Sequence, residues 1–296
     1  MVDLSVIILS YNTQEITKQC LQSLVESLSK SSIQSEIIVI DNASSDGSVE
    51  MIKAFEKEHQ ISNIIWKCQY NAENVGYPKG NNQGFALSSG TFILLLNSDV
   101  IVEQVDFSSL LKYMNENPNA GVLTVKVNLP SGGIDPASHR GFPTIWNSFC
   151  YFTKMEKIFG RLPVIGKFFG GYHLTHLNLL TIHEIDAPAG AFFLTRKSVI
   201  EKTQGFDEQF FMYGEDLDLA YRIKKEGFKV IYYPLFHVLH LKRSSGLEKK
   251  DPEIRKRTRK CFYEAMKIFF KKHYASMYPN FINQFIYWSI DLKSKL

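Results

Sequence analysis

Glu36-Ile-Ile-Val-Ile-Asp-Asn42 sets four consecutive β-branched residues between two acids. A run that short and that branched reads as a strand buried on both faces. After it, Asp46-Gly-Ser48 opens a helical pattern carrying Val49, Ile52 and Phe55. Before it, Leu4-Ser-Val-Ile-Ile-Leu9 is another buried strand, followed by helical spacing through Ile16, Cys20, Leu21, Leu24, Val25 and Leu28. Ile64–Cys68 and Phe92–Leu96 are further strands, with a helix-like stretch over Asn81–Ser88 between them. Strands alternating with helices predict an α/β fold, a mainly parallel sheet flanked by helices. Such sheets bind ligands beyond the carboxyl ends of their strands. Here those ends carry Ser10-Tyr11-Asn12, Asp41-Asn42 and Asn97-Ser98-Asp99, which should meet at one crevice.

The second half is less regular. From Phe142 to Tyr172 the chain is rich in aromatics, Gly and Lys with no clean period. Order returns with Asp186-Ala-Pro-Ala-Gly-Ala-Phe-Phe-Leu-Thr195, a loop entering a strand, and with a short helix over Lys197–Thr203. Glu215–Glu226 reads as a helix stopped by Gly227, and Phe228–Tyr233 as a strand ended by Pro234. A basic amphipathic helix is expected from Glu253 to His273.

The 296 residues, 45% hydrophobic and 22% charged, suffice for a full-sized core. The four cysteines are scattered without a C-x-x-C pair, which fits a reducing compartment and argues against a zinc site. Neither a leader pattern nor a spanning apolar run is evident, so a cytoplasmic protein is expected. The net charge of +4 is uneven: Lys242 to His273 holds twelve Lys/Arg against four acids. Basic charge confined to one end disfavours a nucleic-acid-binding surface and suits a local anionic partner.

Several residue groups carry chemistry. Asp99, delivered by an apolar strand, can hold a hard divalent cation that bridges a diphosphate, although an Asp after a strand also serves as a turn cap. Asp41 can accept the N3–H of uracil or thymine, which cytosine lacks, yet Asp-Asn-x-Ser is equally good capping chemistry. Asn74-Val-Gly76-Tyr-Pro-Lys79-Gly80-Asn81-Asn82-Gln-Gly84 gathers glycines, amides and a Lys able to meet phosphates or ribose. No G-x-G-x-x-G follows the first strand, which counts against a nicotinamide enzyme. Glu215-Asp216-Leu-Asp218 starts a helix with three acids; they complement the dipole, and one is placed to act as a general base. His237 and His240 follow a strand, where either can complete a metal site.

In this order the segments resemble the family-2 glycosyltransferases of the GT-A fold, closest to the bacterial rhamnosyltransferase-like branch. The resemblance covers Val2 to Gly246 and rests on eight pieces, among them Ser5–Asn12, Glu36–Asn42 with Ser45-Asp-Gly-Ser48, Leu94–Asp99, Ala189-Gly-Ala-Phe192 and Phe211-Met-Tyr-Gly-Glu-Asp216. It implies a GT-A catalytic domain over 1–246, with a nucleotide-binding half (1–128) and an acceptor half (129–246), and a basic helical tail over 247–296. It implies further that Asp99 and His240 bind Mg²⁺ or Mn²⁺, His240 being chosen by its spacing before Ser244-Ser245. Asp216 matches the catalytic base and Glu215 its supporting neighbour. Ser10, Tyr11, Asn12, Asp41, Asn74, Gly76, Lys79, Asn81, Asn82 and Ser98 fall on the donor side, Ala189 and Gly190 on the acceptor side. Two departures stand out: Asn97 replaces the first acid of D-x-D, and Tyr77-Pro78-Lys79 is atypical.

The implied reaction is inverting transfer of a sugar from a dTDP- or UDP-sugar to a hydroxyl of a glycan or lipid-linked saccharide in cell-surface polysaccharide synthesis. The rivals are a sugar nucleotidyltransferase, which would need a Gly-rich triphosphate loop after the first strand, and a decayed sugar-nucleotide-binding protein. The basic helix at 253–273 suits either an anionic membrane surface or packing on the domain.

Overall fold

The computed structural model describes residues 1–242 and 252–295. The strands expected near the N-terminus are β1 (Leu4–Ser10), β2 (Ser35–Asp41), β3 (Ile64–Tyr70) and β4 (Phe92–Leu96), with α1 (Gln14–Ser29), α2 (Ser48–Glu58) and α3 (Tyr77–Leu87) between them. They pair parallel in the order β3-β2-β1-β4. The chain then adds β5 (Val100–Glu103), α4 (Phe107–Glu116), β6 (Ala120–Asn128), the short helices α5 (Ile145–Phe152), α6 (Met155–Phe159) and α7 (Gly166–Phe169), and β7 (His183–Ile185). β8 (Phe192–Arg196), α8 (Lys197–Thr203), α9 (Glu215–Lys225), β9 (Lys229–His240), α10 (Pro252–His273) and α11 (Asn280–Lys295) complete it. β8 runs antiparallel to β4 and β6, while β6 and β9 are parallel. The sheet is thus parallel over β1–β4 and mixed beyond β4.

Alternation along the buried strands feeds two cores. Val6 and Ile8 of β1 face one layer with Leu21 and Leu24 of α1, Phe55 of α2 and Leu110 of α4. Ile7 faces the other, with Leu219 and Ile223 of α9 and Phe269 of α10. Helices on both faces explain why β2 carries no polar alternation.

Two features differ from the sequence reading, and a third falls to one of its two alternatives. α3 starts at Tyr77, a turn earlier than expected, because Pro78 sits in the first turn, where its missing N–H costs nothing. Its Gly80 and Gly84 serve packing: a Cβ there would lie 2.5 Å from Leu9 and 2.4 Å from Ile7. Gly84→Ala should therefore overpack the α3–β1 contact and cost about 1–3 kcal/mol, readable in a denaturation midpoint. Pro234 does not end β9. The register with β6 jumps from Val125↔Tyr233 to Lys126↔His237, so Pro234 lies in a bulge where no ladder N–H is needed. Finally, α10 spends its apolar face on the protein. Ala265, Phe269 and Phe270 are buried in the second core, so this face is not free to enter a lipid interface. Among the described residues no helix is long and apolar enough to cross a membrane.

Candidate active site

The parallel strands β1, β2 and β4 end on one edge of the sheet. At the end of β1, Ser10 is buried and Tyr11 exposed. Asn12 takes a left-handed backbone (φ 52°), which Asn tolerates better than most residues. Its N–H donates to Ser44 Oγ (2.8 Å) and its Oδ1 accepts from the Ser45 N–H (2.7 Å), stitching the β1 and β2 end loops together. Asp41 is fully buried. Its Oδ1 accepts from the Ser44 N–H at 2.8 Å, whereas its Oδ2, equally buried, has no hydrogen-bond partner.

The amide of Asn42 organises the next loop. It donates to Asn74 Oδ1 (2.9 Å) and accepts from the Val75 N–H (3.0 Å). Gly76 follows with φ 89°; a Cβ there would strain the backbone and lie 2.9 Å from Phe211. That close approach lets the Tyr77 N–H donate to Phe211 O at 2.9 Å, tying this loop to the one that leads into α9. The hydroxyl of Tyr77 donates to Asn97 Oδ1 (2.9 Å), and a Cβ on Gly190 would lie 2.5 Å from it. Burial, and then the negative charges of Glu215, Asp216 and Asp99, push this phenol well above its ordinary pKa. Tyr77 therefore stands amid the strand end, the Ala189-Gly190 loop and the start of α9. Asn97, where the D-x-D pattern has an acid, is the acceptor for that hydroxyl.

Asn81 is buried and bonds back to Tyr77 O. Asn82 commits its amide to Phe206 and Glu208. Lys79 is exposed on the first turn of α3, and Ser98 and Ala189 are buried.

Asp99 lies between β4 and β5 with only 2% of its surface exposed. His240 Nε2 is 3.1 Å from Asp99 Oδ1, and its Nδ1 is 2.8 Å from Asp135 Oδ2. Lys242 Nζ holds the other Asp135 oxygen at 2.9 Å. Burial opposes the charged form of His240, but its hydrogen bonds to Asp135 and Asp99 outweigh that and raise it to about 9. His240 and Lys242 in turn hold Asp135 far below the usual carboxylate range despite its burial. His237, an odd number of residues away along the strand, is exposed and lies 3.5 Å from Glu103. Ser244-Ser245-Gly246 lies outside the described residues.

α9 begins at Glu215 after a left-handed Gly214. Asp216 Oδ2 pairs with Arg140 Nη2 at 2.7 Å, and its Oδ1 accepts from the Leu217 N–H at 2.7 Å. Arg140 had no signal in the sequence, since its partner lies 76 residues away on another element. Glu215 is buried; burial, followed by the neighbouring Asp216 charge, raises its carboxyl well above the usual range. Its Oε2 lacks a partner, as do Arg140 Nε, Tyr213 Oη and Asp41 Oδ2. Unpaired buried polar atoms are rare in folded proteins and call for an explanation such as a bound water, an ion or a catalytic role. Asp218 points elsewhere, toward α10.

The mixed sheet with helices on both faces is the fold of the GT-A glycosyltransferases. The profile of Glycosyl transferase family 2 matches residues 5–179, and the chain belongs to that family. It is 26% identical over 239 residues to the rhamnosyltransferase WbbL of Escherichia coli K12, covering 79% of this chain and 82% of the relative. It is 25% identical to the N-acetylglucosaminyl-diphospho-decaprenol L-rhamnosyltransferase of Mycobacterium tuberculosis, covering 71% of this chain and 67% of that one. The GT-A fold is shared with the mannosyltransferase PcManGT of Pyrobaculum calidifontis, solved with GDP-Man and Mn²⁺. That similarity has a TM-score of 0.57 at 14% identity, over 91% of this chain and 63% of that one.

Proposed function

We propose that the protein is an inverting glycosyltransferase moving a hexose from a dTDP- or UDP-sugar to a hydroxyl of a glycan or lipid-linked saccharide, in polysaccharide synthesis at the cytoplasmic membrane face. The observation that carries this reading is the neighbourhood of Tyr77, whose hydroxyl bonds to Asn97 beside Asp99 and feels the charges of Glu215, Asp216 and Asp99 together. Asp216 takes the proton of the acceptor hydroxyl as that oxygen bonds to the anomeric carbon. The bond from that carbon to the diphosphate breaks on the opposite face, and its electron pair leaves with the diphosphate. Arg140 fixes the Asp216 carboxylate, and Glu215 is its supporting neighbour.

Among the described residues no three His, Cys, Asp or Glu side chains form a metal cage by themselves. Asp99 and His240 nonetheless fit a divalent cation that takes its other ligands from phosphate oxygens and water, and the Asp135 contact orients the ring as metal-bound imidazoles require. They would hold Mg²⁺ or Mn²⁺, which when bound offsets negative charge on the diphosphate.

The buried Asp41 Oδ2 supports a base with an N–H to donate. UDP and dTDP should bind in calorimetry with Mn²⁺ present, and CDP much more weakly. Asp41→Asn should weaken UDP binding about 10- to 100-fold, the worth of one hydrogen bond to a charged group. Equal affinity for CDP and UDP would remove the base assignment. Absence of nucleoside diphosphate release with any sugar donor and acceptor would remove the transferase reading.

A further inference from the structure

α11 is apolar on two faces. Ile282, Ile286 and Ile290 turn toward the protein, and Ile290 is buried. Phe281, Phe285, Trp288 and Leu292, at spacings of four, three and four, form a stripe on the outer side with exposures of 74, 61, 58 and 45%. A surface helix ordinarily presents polar residues there. The stretch that the sequence left unread supplies a second apolar surface: Phe149, Ile158, Val164 and Phe168, on or beside α5–α7, are all exposed. The two surfaces adjoin, since Lys293 Nζ at the end of α11 sits 5.6 Å from the ring centre of Phe152 in α5. Scattered apolar side chains are normal on a monomer, whereas adjoining stripes of this kind mark an interaction site.

Charge selects the occupant. Between 143 and 182 the cations are Lys154, Lys157, Arg161 and Lys167, all exposed. The sole acid of that stretch, Glu156, is buried and paired with His173 at 2.8 Å. The last turn of α11 adds Lys293 and Lys295, and its Asp291 is engaged by Lys267 of α10. An aromatic surface rimmed by cations, with no unpaired acidic side chain among the described residues of α5–α7 and α11, matches an anionic lipid bilayer. We propose that α11 and α5–α7 form a docking surface for anionic lipid, and that α10, whose apolar face is consumed by the core, is the element holding α11 in place. The 143–182 stretch begins three residues beyond Arg140, the partner of Asp216. On the proposed function, on which this part rests, docking would bring a lipid-linked acceptor to the base.

The test is flotation of the full chain with phosphatidylcholine vesicles, with and without phosphatidylglycerol. Binding is expected only with the anionic lipid, weakening as salt is raised. Phe285→Ser with Trp288→Ser, and separately Ile158→Ser with Phe168→Ser, should each lower vesicle affinity about tenfold or more, because each pair removes two apolar side chains from the lipid. All four positions are exposed, so circular dichroism should show unchanged folding. Failure of the wild type to float with anionic vesicles at low salt overturns the proposal. So does undiminished binding by both double variants. A change from dimer to monomer in the variants, without vesicle binding by the wild type, would assign the surface to a second copy of the chain and equally overturn it. Vesicle binding without transferase activity would leave the docking surface standing and remove the function proposed above. Transfer to a short soluble acceptor without vesicle binding would do the reverse.

Discussion

Asp216→Asn is expected to lower turnover for sugar transfer by about 10²–10⁴-fold, the usual worth of a general base, with donor affinity in Mn²⁺ unchanged. The residue has two fixed contacts: one oxygen holds Arg140 Nη2 and the other the Leu217 N–H, each at 2.7 Å. An amide keeps the shape of the carboxylate but has one acceptor oxygen, so it can satisfy only one of those donors. It also cannot accept the acceptor's proton. The proposed donor side, with Asp41, the Asn42-anchored loop and Asp99, is on other elements and should bind as before. Single-turnover transfer and calorimetry with the donor nucleotide separate the two effects. A variant that transfers sugar at the wild-type rate would show that the proton goes elsewhere. Arg140→Met should fall between the two, since it frees Asp216 to rotate without removing its carboxylate.

The halves of this site were unequally legible in the sequence. β1, β2 and β4 are continuous apolar runs, and a buried parallel strand leaves its polar residues only at its ends. That is why Asp41 and Asp99 stood out from the chain and why their neighbourhood was predictable. Glu215 and Asp216 were visible because a helix start with adjacent acids has a local pattern. Arg140 and Asp135 were not visible, because their roles are ion pairs to distant residues on other elements, and a single Arg or Asp outside a periodic element carries no register. Tyr77 was noticed only as an irregularity; its role depends on the Gly76 conformation and on a hydroxyl contact to Asn97, both tertiary facts. Pro234 misled for a related reason. Its effect on a strand depends on whether the partner needs an N–H there, and the bulge against β6 removes that need. For α10 the pattern was amphipathic but did not say which apolar surface it meets, and packing against α9 decided it.

That packing makes Asp218→Ala the substitution expected to cost the most stability. Asp218 is fully buried in the first turn of α9. Its Oδ1 accepts from His273 Nε2 (2.7 Å) and Lys272 Nζ (2.8 Å) at the end of α10, and its Oδ2 from Arg222 one turn on (2.8 Å). Removing the carboxylate would leave these donors, Lys272 and Arg222 among them, facing a void, and breaking a buried ionic cluster from one side costs about 3–5 kcal/mol. Thermal and denaturant unfolding should both register it, with the α10 amides losing hydrogen-exchange protection first. Burial alone would raise the Asp218 carboxyl, but the His273 hydrogen bond, then Arg222 and Lys272, outweigh it and hold the group at about 2. An unfolded Asp titrates near 3.9, so the unfolded chain binds the proton first as pH falls. The stabilisation is therefore complete above about pH 4 and is lost as pH falls toward about 2. Wild-type stability should drop through that window, whereas the difference between wild type and Asp218→Asn should shrink across it. An Asp218→Ala protein with wild-type unfolding behaviour, or a wild-type minus Asn difference that stays constant from pH 5 to about pH 2, would mean that α10 is held by its apolar contacts alone.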